Sequence, residues 1–165
     1  MKYICTMAEY NFNEDIHVGE AGEKIIIRDL ESLGLKFVSD NKNKTHDLIM
    51  SKPNGDEVSY EIKTDVFIKP DMDTGNMFIE FESRGFPSGI DITEAEWFVM
   101  FFQHIREAWY IRTKDLKKLL IDIQCKTTEM AGDLNSNTKG YLLNRYMYQK
   151  HFIVRRIPKT WINQN

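Results

Sequence analysis

The sequence predicts an α/β domain, a mixed β-sheet with helices packed against it. Three observations lead there. Apolar residues of helical period run from about Val18 to Leu33. Two strand-like runs, Asp47–Ser51 and Val58–Ile68, flank Pro53-Asn54-Gly55, a strong hairpin turn. Further helix and strand signals then follow, the pattern of helices layered on a sheet.

Each element has its own signal. Residues 1–17 have weak periodicity and read as an arm or a first helix. In the first clear helix Ile26, Ile27, Leu30 and Leu33 recur at helical spacing, and Gly34 sits where a helix stops. Three consecutive isoleucines lower helix propensity, but Glu23, Arg28, Asp29 and Glu31 argue for a helix with one buried stripe. Leu35–Ser39 reads as a short strand or a connection, and residues 40–45 as a polar loop. After the hairpin, Asp71–Asn76 is a turn, Met77–Ser83 a third strand, and residues 84–91 a Gly/Pro-rich loop. Thr93-Glu94-Ala95-Glu96 has the form of a capping box, with Ile92 and Trp97 as its staple, and predicts a helix from Glu94 to about Arg106. Ala108–Arg112 reads as a strand. Thr113 is expected to cap a helix through Ile123 with Leu116, Leu119 and Leu120 inward. Residues 133–140 read as a loop, followed by strands near Tyr141–Tyr148 and Phe152–Ile157.

Composition bounds the class. The 165 residues fit one domain at about 150 residues per domain, with a core at about 18–123 and an extension at 135–165. No apolar run approaches the roughly 18 residues of a membrane span, and the first residues turn acidic before a secretory signal could form. Cys5 and Cys125 are far apart, so neither a zinc site nor a disulfide framework is expected, and a reducing cytoplasm is the default compartment. Charge is uneven. The net charge is -3, yet residues 135–165 carry six cations and no acid. Those cations, Lys139, Arg145, Lys150, Arg155, Arg156 and Lys159, alternate with Tyr141, Tyr146, Tyr148, Phe152 and Trp161. Cations neutralise phosphates and aromatic faces stack on bases, so the extension is a candidate nucleic-acid contact. The same spacing also builds cores.

The chemistry concentrates in the hairpin. Asp47 opens one strand, and Glu61-Ile62-Lys63 lies in the middle of the next. Alternation puts Glu61 and Lys63 on one face and Ile62 on the other. Two carboxylates on a partly buried face are costly unless compensated. A divalent cation would compensate, and Mg²⁺, with Mn²⁺ as a substitute, takes such oxygen ligands. Lys63 would then orient a water or neutralise growing negative charge. On the first helix Glu23 stands on a stripe with Ile27 and Leu30 and could complete the site, with Glu20 one turn earlier as its rival. A solvated hairpin face with ordinary surface charges is the alternative. A second polar cluster follows. Glu80 and Glu82 share a strand face, and Ser83, Arg84 and Ser88 lie in the Gly-rich loop. Arg84 and the loop could hold a phosphate, with Glu80 or Glu82 adjusting the metal site. His46, beside Asp47, could touch a phosphate, whereas His104 reads as a surface or satisfied core residue.

Glu23, the Thr45-His46-Asp47-Leu48-Ile49-Met50 segment and the Tyr60-Glu61-Ile62-Lys63-Thr64-Asp65 segment together resemble the PD-(D/E)xK nuclease superfamily. Within it they look closest to the archaeal Holliday-junction resolvases, whose helical acid precedes a helix-ending Gly by eleven positions, as Glu23 precedes Gly34. His46 stands where the superfamily's name has Pro. The third strand and its loop are similar to small phage-encoded members. The resemblance covers about residues 19–112 in order of elements and implies a restriction-endonuclease-like core.

It further implies an Mg²⁺-dependent endonuclease that hydrolyses DNA phosphodiesters, with branched or otherwise structured DNA as substrate. Glu23, Asp47 and Glu61 would bind metal, and Lys63 would assist the attacking water. Ser83, Arg84, Ser88, Lys139, Arg145, Arg155 and Arg156 would contact nucleic acid. A homodimer is expected for symmetric cutting, in the cytoplasm (the host's, if the chain is viral) and without a membrane. An RNA endonuclease on the same core and a non-cleaving nucleic-acid-binding protein are the rival readings.

Overall fold

The computed structural model describes residues 12–40, 45–131 and 137–162. The start of the expected N-terminal arm, part of the polar loop after Asp40 and part of the loop before Gly140 lie outside them. Helix α1 (Phe12–Ser32) begins earlier than its apolar pattern and ends just before Gly34, whose φ of 89° suits a residue without a side chain. Strands β1 (Lys36–Asp40), β2 (Leu48–Ser51) and β3 (Glu57–Asp65) follow as an antiparallel meander. The β2–β3 turn closes through Gly55 N–H to the Lys52 carbonyl, 2.9 Å, as Pro53-Asn54-Gly55 dictates.

The next segment departs from expectation. The run from Trp97 to Phe102 is not a helix but strand β6. It lies parallel to β3 and antiparallel to β7 (Glu107–Arg112). Its last five residues are buried whichever face they point to. A six-residue run of large apolar side chains has no polar face to give a helix, and in a strand it fills both faces of a central position. The supposed capping residues are used only partly in the local way. Thr93 Oγ1 accepts from the Ala95 amide at 3.2 Å but donates to the Thr45 carbonyl, and the Glu96 amide donates to Ser59 Oγ, not to Thr93. Phe98, Phe101 and Phe102 are core, as their size suggests, but on opposite faces of the strand. His104 sits exposed in the β6–β7 turn.

Helix α2 (Thr113–Asp122) turns Leu116, Leu119 and Leu120 inward as expected. Thr113 is its first residue and not its cap, the cap position being Arg112. Strand β10 (Ile153–Arg156) completes a mixed six-stranded sheet in the order β1-β2-β3-β6-β7-β10. The third expected strand is not in this sheet. Strand β4 (Asn76–Ser83) pairs with β5 (Phe86–Pro87) and with β9 (Asn137–Asn144), and β9 pairs with β8 (Thr127–Ala131). This second, antiparallel sheet packs on the face of the first that α1 leaves free. The parallel β3–β6 step, usually bridged by a helix, is here bridged by a segment of that second sheet.

Two cores result. Ile25, Ile26 and Leu30 of α1 cover Tyr60, Ile62, Val99 and Phe101 on one face. On the other, α2 and the second sheet's Met77, Ile79 and Leu143 cover Phe98, Met100, Phe102 and Trp109. The C-terminal residues are therefore no extension. Arg145 is fully buried, bound to Asp73 and stacked 4.5 Å from the Phe102 ring centroid, which removes it from any nucleic-acid surface. Arg155 Nε holds the buried Asp29 at 2.7 Å, and Tyr110 donates to the same carboxylate at 2.8 Å. Phe152 packs on Trp109 and Tyr141 on Phe81. These cations and rings join strands instead of waiting for phosphates and bases. A short helix α3 (Lys159–Ile162) follows β10, with Trp161 beneath the Arg28 guanidinium.

The buried stripe of α1 is Gly22, Ile25, Ile26, Asp29 and Leu30, while Leu33 is exposed. Gly22 sets the helix against β3. A Cβ there would lie 1.9 Å from Thr64 Oγ1, whereas one on Gly19 meets nothing within 4 Å. Gly19→Ala is thus expected to stabilise by about 1 kcal/mol through helix propensity alone. Gly22→Ala should destabilise by about 1–3 kcal/mol, with partial recovery in Gly22→Ala/Thr64→Ala. Urea titration of the three variants reads both signs, and stabilisation by Gly22→Ala would refute the close approach. Arg155→Ala leaves Asp29 buried without its cation and should cost about 3 kcal/mol, a substantial fall in the same midpoint.

Candidate active site

The β2–β3 hairpin brings Asp47, Glu61 and Lys63 together, and α1 carries Glu23 within range of the Asp47 charge. Asp47 stands just before β2, its amide bonded to the Tyr60 carbonyl at 2.9 Å. Its Oδ2 accepts from the Ile62 amide at 2.6 Å, so the carboxylate lies against β3 beside Glu61 and Lys63. Glu61 is 6% exposed, on the β3 face opposite Tyr60 and Ile62. Lys63 Nζ reaches Glu61 Oε1 at 2.7 Å. Thr93 Oγ1 lies 3.3 Å from Glu61 Oε2, and also bonds the Thr45 carbonyl at 3.1 Å. Thr93 is a site residue that sequence reasoning assigned to a helix cap. Its hydroxyl role has no local signal, because β6 and the Asp47 turn meet only in the fold.

Glu23 is half-buried on α1, one residue after the glycine that lets the helix approach β3. Its carboxyl is pushed from 4.5 up to about 7, by burial first, then by the negative charge of Asp47 and of Glu20. Burial and then the Glu61 charge raise the Asp47 carboxyl too, against Lys63 and the Ile62 amide. Burial alone would lower the Lys63 ammonium, but Glu61 and Asp47 outweigh it and hold it above its usual value, with Glu80 adding to the effect. So Glu23, Asp47, Glu61 and Lys63 share one electrostatic environment. Glu20 is 58% exposed on its side chain and faces His17 at 3.8 Å.

Three hard oxygen donors that repel one another suit a small divalent cation. Among the described residues, no three Asp, Glu, His or Cys side chains converge as a ready-made metal cage. Glu61 is engaged by Lys63 and Asp47 by a backbone amide, so a cation at Glu61 competes with Lys63 for the same carboxylate.

The accessory residues divide. Glu80 accepts from Ser88 Oγ and acts on Lys63, so the second sheet reaches the site. His46, next in sequence to Asp47, has Nδ1 3.2 Å from Thr45 Oγ1. Glu82 pairs instead with Lys139 at 2.7 Å, each neutralising the other. Ser83 and the exposed Arg84 lie at the β4–β5 hairpin. Arg156 is exposed on β10, three strands from β3, or about 14 Å at normal strand spacing. Arg145 and Arg155 are taken up by Asp73 and Asp29.

No family model matches the chain, and no curated protein matches it. Among solved structures it is similar to a bacterial homing endonuclease, with a TM-score of 0.48 and 12% identity over 61% of this chain and 70% of that chain. No helix among the described residues is long and apolar enough to cross a membrane.

The Glu23 shift carries a pH signature. Between about pH 4.5 and about pH 7 the folded chain keeps a proton on Glu23 that the unfolded chain has released. That contribution to stability is full below the lower value and lost as pH rises through the upper one. In EDTA, the melting temperature should fall across this window, and the fall should shrink in Glu23→Gln. Identical profiles for both proteins would mean that Glu23 is not held in this environment.

Proposed function

We propose that this protein is a metal-dependent endonuclease that hydrolyses phosphodiester bonds in DNA, with branched or otherwise structured DNA as its substrate. The observation that carries the reading is the gathering of Asp47, Glu61 and Lys63 on one hairpin, with Glu23 of α1 near enough to feel the Asp47 charge. Asp47 and Glu61, with Glu23, would hold Mg²⁺ or Mn²⁺. Such a cation acidifies water and neutralises charge on a phosphate oxygen.

The chain's own residues account for the rest. Asp47 is fixed by the Ile62 amide, so its free oxygen is aimed without losing rotamer freedom on binding. Glu61 is held by Thr93 and by Lys63. A cation held by Asp47 and Glu61 would draw Glu61 away from Lys63, leaving the Lys63 ammonium beside the site. It is then available to orient the attacking water or to meet the negative charge that grows on the phosphate. The half-protonated Glu23 couples cation binding to proton release near neutral pH. A homodimer would place two such sites for cutting two strands, and light scattering reports whether one forms.

The test is a panel of labelled duplex, single-stranded, four-way-junction and RNA substrates with Mg²⁺, Mn²⁺ or EDTA. Cleavage of DNA with either metal and none in EDTA is the expected result. Cleavage of RNA alone would move the substrate class, and binding without cleavage would overturn the enzymatic reading. Lys63→Ala should lower the rate by about 10²–10³-fold. Because Glu61 then lacks its cation, the variant should also melt lower in EDTA and regain stability with Mn²⁺. Near-wild-type turnover would make the Glu61–Lys63 pair structural only.

A further inference from the structure

The β4–β5 hairpin has a tip that its own folding does not explain. Ser83 and Phe86 pair across it, which leaves Arg84 and Gly85 as a two-residue loop. Their φ values are 54° and 80°, both in the left-handed region. Two-residue hairpins take this form readily with Asn-Gly or Gly-Gly, not with Arg at the first position. An L-residue with a long side chain is disfavoured there. The backbone is tied to β9, the Arg84 amide donating to the Asn137 carbonyl at 3.3 Å, but the side chains at the tip gain little. Arg84 is exposed, a Cβ at Gly85 would meet nothing within 4 Å, and Phe86 is 73% exposed. A strained cation beside an exposed aromatic ring is therefore held out into solvent.

The tip is nonetheless anchored at the candidate site. The returning strand bonds back on β4 through Ser88, whose amide donates to the Phe81 carbonyl at 2.9 Å and whose hydroxyl donates to Glu80. Gly89, with φ of 51°, passes so close that a Cβ would lie 2.3 Å from the Glu80 carbonyl oxygen. The Gly89 carbonyl accepts from the Thr93 amide at 3.0 Å, and Thr93 Oγ1 lies 3.3 Å from Glu61. The hairpin is thus a short arm whose base is joined to Glu61 through Thr93 and whose tip presents one guanidinium and one phenyl ring.

We propose that the Arg84–Phe86 tip is a nucleic-acid-reading element, in which Arg84 holds a backbone phosphate and Phe86 stacks on an unpaired base next to the reacting bond. The proposal rests on the nuclease reading and deepens it, since it selects substrates with unstacked bases over continuous duplex. The guanidinium supplies a fixed positive charge for the phosphate. The ring has a face any base can use, and only an unstacked base can reach it.

Binding of fluorescent oligonucleotides in EDTA tests this without cleavage. The probes are a continuous duplex, a single strand, and a four-way junction with unpaired bases at its centre, each at two salt concentrations. Arg84→Asn should melt about 2–4 °C higher, because Asn relieves the left-handed strain. The same variant should bind every probe more weakly, with the salt slope reduced by about one. Phe86→Ala should weaken single-strand and junction binding by about tenfold and leave duplex binding unchanged. Wild-type affinity of both variants for all probes would overturn the proposal, as would equal loss on duplex and single strand in Phe86→Ala. If the wild type binds and cuts while the variants match it, only the hairpin assignment fails. If the wild type neither binds nor cuts any probe, the nuclease reading fails and the hairpin assignment with it.

Discussion

The constraint on which this structure turns is a carboxylate buried in the middle of a sheet. Glu61 is 6% exposed and sits on a strand flanked on both sides. An uncompensated charge there would cost several kcal/mol. Its compensation recruits three separate parts of the chain. Lys63 comes from the same strand face, Thr93 from the approach to β6, and the Thr45 carbonyl fixes Thr93 from the turn before β2. Asp47 is drawn into the same region by the Ile62 amide. The acid cluster is therefore built into the junction between hairpin and central strand, where loosening one part loosens the others.

The two faces of the sheet serve this junction differently. On one, Gly22 lets α1 come close enough to β3 for Glu23 to join the cluster. On the other, the second sheet brings Glu80 toward Lys63. The closing strands come from the C-terminal third, where the buried Arg145 and the half-buried Arg155 act as fasteners. Arg145 is enclosed by Asp73 and aromatic rings, and Arg155 and Tyr110 share Asp29 between β10, β7 and α1. Two of the cations in the basic C-terminal stretch are thus committed to internal ion pairs, so a basic stretch of sequence is a poor guide to a binding surface.

Legibility differed by the range of the interaction. The hairpin was readable because turn chemistry and period-two alternation are local, and Glu61 and Lys63 share a face by alternation alone. The helix that carries Glu23 was readable from its apolar period. The strand at Trp97–Phe102 was misread because Thr93-Glu94-Ala95-Glu96 offers a local cap. That preference lost to burial of five large apolar residues between two neighbouring strands. The second sheet was invisible for a related reason. Pairing of β4 with β9 joins residues about sixty apart, and no local signal says which sheet a strand will enter.

By itself, the sequence determined an α/β fold with a mixed sheet, the β2–β3 hairpin, and the order in which Glu23, Asp47, Glu61 and Lys63 occur. Those follow from steric and hydrophobic rules that act within a few residues. Only the tertiary structure decided that Thr93 belongs with Glu61, that Glu80 reaches Lys63, and that Arg145 and Arg155 face inward. Each of those depends on desolvation, and whether a charge is desolvated depends on which distant strand is laid over it.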